Sequence, residues 1–222
     1  MCAKRRIALY GGTFDPVHLG HLEVARKVCE LFEIEKVLFL PAQVAPHKLG
    51  KTVTEPIHRY AMLALATQDE PKLAVSTFEI EAANRRYTVD TVEHFVRTLG
   101  DTSNLFFIMG ADSWVEITTW RDWKRLLTMV NHIVVTRPGY GLTGPVEVSD
   151  RIVDLRSNDK QGVPDVQGEK IYLTDVVMKD VSATQIRSMA SKGRYDELTK
   201  LLSIPVVKYI EKYGIYQESN ED

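Results

Sequence analysis

Two histidines three residues apart follow a glycine pair early in the chain, in the segment Tyr10-Gly11-Gly12-Thr13-Phe14-Asp15-Pro16-Val17-His18-Leu19-Gly20-His21. Glycines let a backbone approach an anion closely and turn its amides toward it. A helix that starts just after such a turn adds unpaired N–H groups and the positive end of its dipole. On that helix His18 and His21 lie one turn apart, so both imidazoles can face one phosphate group. Gly20, between them, leaves room for a flat ring such as an adenine against the backbone. This set suits the binding of a polyanion and the stabilisation of charge that develops on it. A metal pair is the alternative, but i,i+3 histidines without a nearby carboxylate ligand suit zinc poorly.

Such a site must be local. The 222 residues carry 28 Lys and Arg against 30 Asp and Glu, a net charge of −2. No global field therefore recruits nucleic acid or an anionic membrane surface, and neither is expected as a partner. With 44% hydrophobic and 26% charged residues, the composition is that of a globular chain with a real core. Cys2 and Cys29 cannot build a disulfide framework or a zinc site on their own, which fits a reducing, cytoplasmic setting. The longest apolar stretches are far too short to span a membrane. The apolar run from Ile7 to Tyr10 is also too short for the core of a signal peptide.

The elements that must position the histidines alternate along the chain. Strands are expected over residues 6–10, 36–40, 73–79, 104–110, 132–136 and 170–174, with helices over 17–32, 57–68, 88–99 and 112–129. Short, near-continuous apolar runs suit parallel strands buried on both faces, and the alternation predicts an α/β fold with a doubly wound parallel sheet. Asp15 as cap and Pro16 at the first helical position would start the first helix. Leu19, Leu22, Ala25, Cys29 and Phe32 would then face the sheet. From Pro138 to Lys170 the chain turns polar and rich in Gly, Pro, Asp and Ser, which reads as an excursion. Residues 182–213 read as helices, with Pro205 in the first turn of the last one and Gly214 at its end.

The segment GGTFDPVHLGH resembles the signature of the HxGH nucleotidyltransferases. The resemblance implies a Rossmann-like fold and transfer of a nucleoside monophosphate from a triphosphate to a phosphate acceptor, with release of pyrophosphate. SATQIRS (182–188) is similar to the S-x-T-x-I-R element that closes the triphosphate site in these enzymes, with Ala183 where Ser is the commoner residue. Ser182 and Gln185 can form a capping box there, leaving Thr184 and Arg187 near free amides as a second anion cradle. Pro46-His47-Lys48 resembles the acceptor-phosphate segment of the bacterial nicotinate mononucleotide adenylyltransferases. Arg86-Tyr87-Thr88-Val89-Asp90-Thr91 resembles their Y-T-x-D-T element. Phe107-Ile108-Met109-Gly110-Ala111-Asp112 resembles their strand-ending G-x-D, and Thr119-Trp120-Arg121-Asp122-Trp123 their pyridine-packing aromatic stretch. Val134-Val135-Thr136-Arg137-Pro138-Gly139 and the closing IPVVKYIEKYGIY also fit. The likeness runs in order along nearly the whole chain and is weakest over 140–168.

What the resemblance implies is specific. ATP and nicotinate mononucleotide would give deamido-NAD and pyrophosphate, a step in NAD biosynthesis. His18 and His21 would be catalytic, at the α-phosphate and bridging oxygen. Gly11, Gly12, Thr13, Phe14, Gly20, Gly110, Asp112, Ser182, Thr184 and Arg187 would complete the ATP site, Asp112 on a ribose. His47 and Lys48 would hold the acceptor phosphate, Tyr87, Thr88 and Trp120 would recognise the pyridine, and Arg137 would join the acceptor side. Mg²⁺ is expected on ATP oxygens and water, with no metal ligand from the protein. Residues 1–180 would form the Rossmann-like core with a polar excursion at 140–168, and 181–222 a small C-terminal helical part that completes the ATP site. Plainer readings stay open at this point. Asp112 can simply cap a helix, Tyr87 and Trp123 can be packing, and Lys48 and Arg187 can be solvated charges. The oligomeric state is not readable from the sequence.

Overall fold

The computed structural model describes residues 4–43, 53–82, 87–136, 142, 144–156, 168–175 and 181–217. Among these, seven strands form one all-parallel sheet: β1 (Arg5–Gly12), β2 (Lys36–Pro41), β3 (Leu73–Val75), β4 (Ser103–Gly110), β5 (Asn131–Val135), β6 (Ile152–Asp154) and β7 (Ile171–Thr174). Their order across the sheet is β3-β2-β1-β4-β5-β7-β6. The helices are α1 (Leu19–Leu31), α2 (Pro56–Thr67), α3 (Thr88–Leu99), α4 (Ala111–Val115), α5 (Trp123–Leu126), α6 (Ala183–Ser191), α7 (Tyr195–Leu198) and α8 (Ile204–Lys212). This is the expected Rossmann-like doubly wound fold.

Alternation along the strands divides the core in two. Ala8, Tyr10, Val37, Phe39, Phe106, Ile108 and Ile133 face one side, where they pack with buried residues of α1, α2, α6 and α8. Ile7, Leu9, Leu105, Phe107, Met109 and Val134 face the other, against α3, Trp114 of α4 and Leu126 of α5. The C-terminal helices share the first of these cores with α1, through Ile186, Ala190, Leu198 and Ile210. Cys29 is buried in that core as a free thiol. No described helix is long and apolar enough to cross a membrane.

Several expected elements differ in extent. The third strand stops at Val75 rather than residue 79, because the Ser76 hydroxyl accepts the Phe78 amide at 3.2 Å and turns the chain. The helix expected over 112–129 breaks into α4, a 3₁₀ turn over Ile117–Thr119 and α5. β-Branched Val115, Ile117, Thr118 and Thr119 resist a continuous helix, and Asp122 takes a left-handed conformation at φ 50°. The polar excursion contains an unforeseen edge strand, β6, paired with β7. The last helix keeps its predicted punctuation, with Pro205 in its first turn and Gly214 just past its end at φ 61°.

Candidate functional site

The strand order reverses at β1. It pairs with β2 on one side and β4 on the other, so the carboxyl ends of β1 and β4 flank the crevice where open α/β sheets bind ligands. β1 delivers Gly11 and Gly12 to that edge, and β4 delivers Gly110, which is exposed with open space where a Cβ would be. Gly12 is required by packing. A Cβ there would lie 2.8 Å from the ring of Phe14, which folds back over the strand end. Phe14 itself holds φ 51° and buries its ring edge-on to Tyr10, Phe39 and His21, with centroids 5.5, 5.4 and 5.0 Å away. Only the Phe14 backbone is therefore open to a role at the crevice; its side chain is an anchor.

The first helix starts later than the sequence suggests. Its N-cap is His18, not Asp15, and Leu19 is its first residue. Asp15 is turned inward and only 3% exposed. Its Oδ1 accepts from the Tyr216 hydroxyl at 2.8 Å, its Oδ2 from the Thr54 amide at 3.4 Å, and its carbonyl from Arg187 Nη1 at 2.7 Å. A residue expected to cap one helix instead ties four segments together.

The backbone amide of His18 donates to Nδ1 of His21 at 3.2 Å. An Nδ1 that accepts leaves the proton of the neutral His21 ring on Nε2, as a donor. The two imidazoles are stacked, with centroids 3.6 Å apart and planes 24° from parallel. Burial pushes the His18 pKa down to about 4. Burial also pushes His21 well below its ordinary value, and the nearby His18 adds to the fall. Near neutral pH the pair is an uncharged, preorganised donor set. The His18 ring covers Gly20: a Cβ there would meet His18 Nδ1 at 3.1 Å. A side chain at position 20 would therefore crowd the histidine pair, which gives Gly20 a packing role beside the one expected from the sequence.

The second cradle meets the first. Ser182 is the N-cap of α6, as expected, but it makes no side-chain cap hydrogen bond and the capping box with Gln185 does not form. Arg187 reaches from α6 to the Asp15 carbonyl, and its Nη2 donates to Thr184 Oγ1 at 3.3 Å. Val181, just before α6, lies 3.7 Å from where a Gly20 Cβ would be. The first amide of α1, at Leu19, bonds the carbonyl of Leu201 at 2.8 Å. The structure thus brings together residues 11–21 and 181–187.

The remaining candidates are grouped more loosely. Asp112 is exposed in the first turn of α4, one residue inside the helix whose N-cap is Gly110. Tyr87 is the N-cap of α3, where its amide donates to the Asp90 carboxylate at 3.4 Å, and Thr88 opens the helix. The Arg121 guanidinium lies 4.6 Å from the Tyr87 ring centre, joining the α3 start to the segment that carries Trp120. Trp120 and Trp123 both pack partly against the second core. His47, Lys48 and Arg137 lie outside the described residues.

Sequence reasoning missed Arg59, Thr54, Tyr216 and Arg121. Arg59 was detectable: it shares one face of α2 with buried Met62 and Leu63 at spacings of three and four, where a charge is out of place. The Tyr216–Asp15 bond spans 201 positions and leaves no local signal.

The cytidylyltransferase-like family model matches residues 9–189. The chain is 38% identical to the probable nicotinate-nucleotide adenylyltransferase of Thermoanaerobacter sp. (strain X514), over 98% of this chain and 97% of that protein. The chain belongs to the nicotinate-nucleotide adenylyltransferase family. A relative of the same name in Corynebacterium glutamicum is 32% identical, with 99% of this chain and 92% of that one covered. Among solved structures, the Plasmodium falciparum nicotinic acid mononucleotide adenylyltransferase in complex with NaAD aligns with a TM-score of 0.71 at 20% identity, covering 96% and 97% of the two chains. At that identity the likeness carries the fold alone.

Proposed function

We propose that the protein transfers the adenylyl group of ATP to nicotinate mononucleotide, forming nicotinate adenine dinucleotide and pyrophosphate in NAD biosynthesis. Family membership across the whole chain supports this reading. The observation that carries the chemistry is the convergence of the Gly11–His21 loop and the α6 start on one crevice, around two stacked, uncharged histidines.

In this reaction an acceptor phosphate oxygen attacks the α-phosphorus in line and pyrophosphate leaves, with no covalent enzyme intermediate. An ionised phosphate is already a nucleophile, so the protein's work is positioning and charge stabilisation. In our reading the backbone from Gly11 to Phe14 and the Nε2–H of His21 meet the α-phosphate, with His18 stacked behind it at the bridging oxygen. Thr184 and Arg187 take the β- and γ-phosphates. A guanidinium has five donors, and among the described residues Arg187 directs two of them to protein oxygens, so in this reading others serve phosphate. Gly110 and Asp112 would accept the ribose, and Ser182 would line the triphosphate. Tyr87, Thr88 and Trp120 would recognise the pyridine, and His47, Lys48 and Arg137 the acceptor's anionic groups. Among the described residues no group of three or more His, Cys, Asp and Glu is placed to hold a metal ion. We also assign Mg²⁺ to the nucleotide substrate, where it would offset phosphate charge, because Mg²⁺ keeps several waters and rarely needs a full protein cage. We also propose that residues 1–180 form the catalytic core and that 181–222 complete the ATP site, in the cytoplasm.

The test is pyrophosphate release from MgATP with nicotinate mononucleotide, nicotinamide mononucleotide or phosphopantetheine. A strong preference for the nicotinate form is expected. Preference for either other acceptor would keep the chemistry and discard the pyridine assignment; ATP binding without turnover on any would discard catalysis.

A further inference from the structure

Arg59 of α2 is fully buried, yet it forms no ion pair among the described residues. Its side chain makes four hydrogen bonds there, all to backbone carbonyls. Nε donates to Thr54 at 2.8 Å, Nη1 to Thr13 at 2.7 Å, and Nη2 to Ala42 at 2.6 Å and Gln43 at 3.2 Å. Asp15, Tyr216 and Glu79 lie near enough to favour its charge against the penalty of burial. A guanidinium keeps its proton in proteins, so a fixed positive charge lies behind the crevice loop.

The four carbonyls belong to three separate segments. Thr13 is in the glycine-rich loop after β1. Ala42 and Gln43 follow β2, and Thr54 precedes α2, so these three flank the sequence stretch that contains His47 and Lys48. A planar fork of donors in one rigid group fixes the separation of the oxygens it binds; a lysine, with three donors on one atom, cannot span the same set. We propose that Arg59 is a positioning residue that holds the ATP loop and the two ends of the acceptor stretch in register, so that one buried cation sets donor and acceptor phosphates for in-line attack. The proposal rests on the functional reading above.

The test compares Arg59→Lys and Arg59→Met with Leu63→Ala, a core truncation on the same helix. Each is assayed well below its melting temperature for kcat, both KM values and the Kd of a non-transferable ATP analogue. Arg59→Met is expected to raise both KM values at least tenfold and lower kcat at least a hundredfold, with Arg59→Lys recovering part of each. Leu63→Ala is expected to lower the melting temperature while both KM values stay within twofold of wild type. The proposal is overturned if the Arg59 variants lose only thermal stability, or if Leu63→Ala shifts the KM values as they do. Should Arg59→Met fail to fold, Arg59→Lys decides by the same criterion. Absence of wild-type turnover with nicotinate mononucleotide would count against the functional reading, whereas an unchanged analogue Kd in Arg59→Lys would count against Arg59 itself.

Discussion

His132 on β5 gives a prediction that can be worked through to a number. Its side chain is completely buried, and neither ring nitrogen has a well-aligned hydrogen-bond partner among the described residues. Burial pushes its pKa down to about 3; the Val130 backbone opposes the fall and Arg151 adds to it. The unfolded chain, with an ordinary value of 6.5, takes up this proton first as pH drops. The associated stability is complete above about pH 6.5, declines steadily below it, and stops declining near pH 3. At pH 5 the cost is about 2 kcal/mol, and at pH 7.5 it is close to zero, taking 1.36 kcal/mol per pKa unit. His132→Leu removes the term. Any packing change it introduces is the same at both pH values, so the difference of differences isolates the histidine. Urea unfolding at pH 7.5 and pH 5 should show the variant gaining about 2 kcal/mol on wild type between the two conditions. In thermal melts that gain corresponds to roughly 4–8 °C for a chain of this size. Parallel loss of stability in both proteins would show that His132 is hydrated or already partnered, and the argument from burial would fail.

Three further outcomes follow from the site. His18→Ala should lower kcat about 100- to 1000-fold, the usual cost of one preorganised donor, with only a small change in ATP KM; turnover near wild type would remove His18 from the reaction. Gly12→Ala should push the Phe14 ring aside and cost about 1–3 kcal/mol, read in urea melts together with a raised ATP KM, and wild-type values for both would contradict the close approach of ring and strand. Trp120→Ala should raise the KM for nicotinate mononucleotide about tenfold, in line with the worth of one stacked base, and leave the ATP KM alone; an unaltered acceptor KM takes Trp120 out of the pocket.

How much of this was legible beforehand depends on the range of the forces involved. The sheet was readable because buried parallel strands must be apolar on both faces, and KVLFL and NLFFIMG are. The bounds of α3 matched at both ends, 88 and 99, where the Tyr87–Asp90 pair gives a local start signal. The Gly11–His21 segment could be read as an anion-site candidate because a glycine pair and two histidines one helical turn apart are local features too. What it could not announce was the direction each side chain takes. Asp15 and Pro16 look like a helix start, but Tyr216, Thr54 and Arg187 draw Asp15 inward and His18 becomes the cap. Gly20 also packs under the His18 ring, a contact that spacing alone does not reveal. β6 went unread because its three residues, Ile152–Asp154, carry too little pattern to stand out.

Asp15 and Leu19 leave the ribosome long before their partners Arg187, Leu201 and Tyr216. A ribosome that has released only the first strand and helix exposes a glycine-rich loop without the bonds that shape it. The loop acquires these bonds only when residues as late as Tyr216 have emerged. Chains stalled or cut short before residue 187 therefore hold the glycine-rich segment without the Arg187, Leu201 and Tyr216 bonds that tie it down.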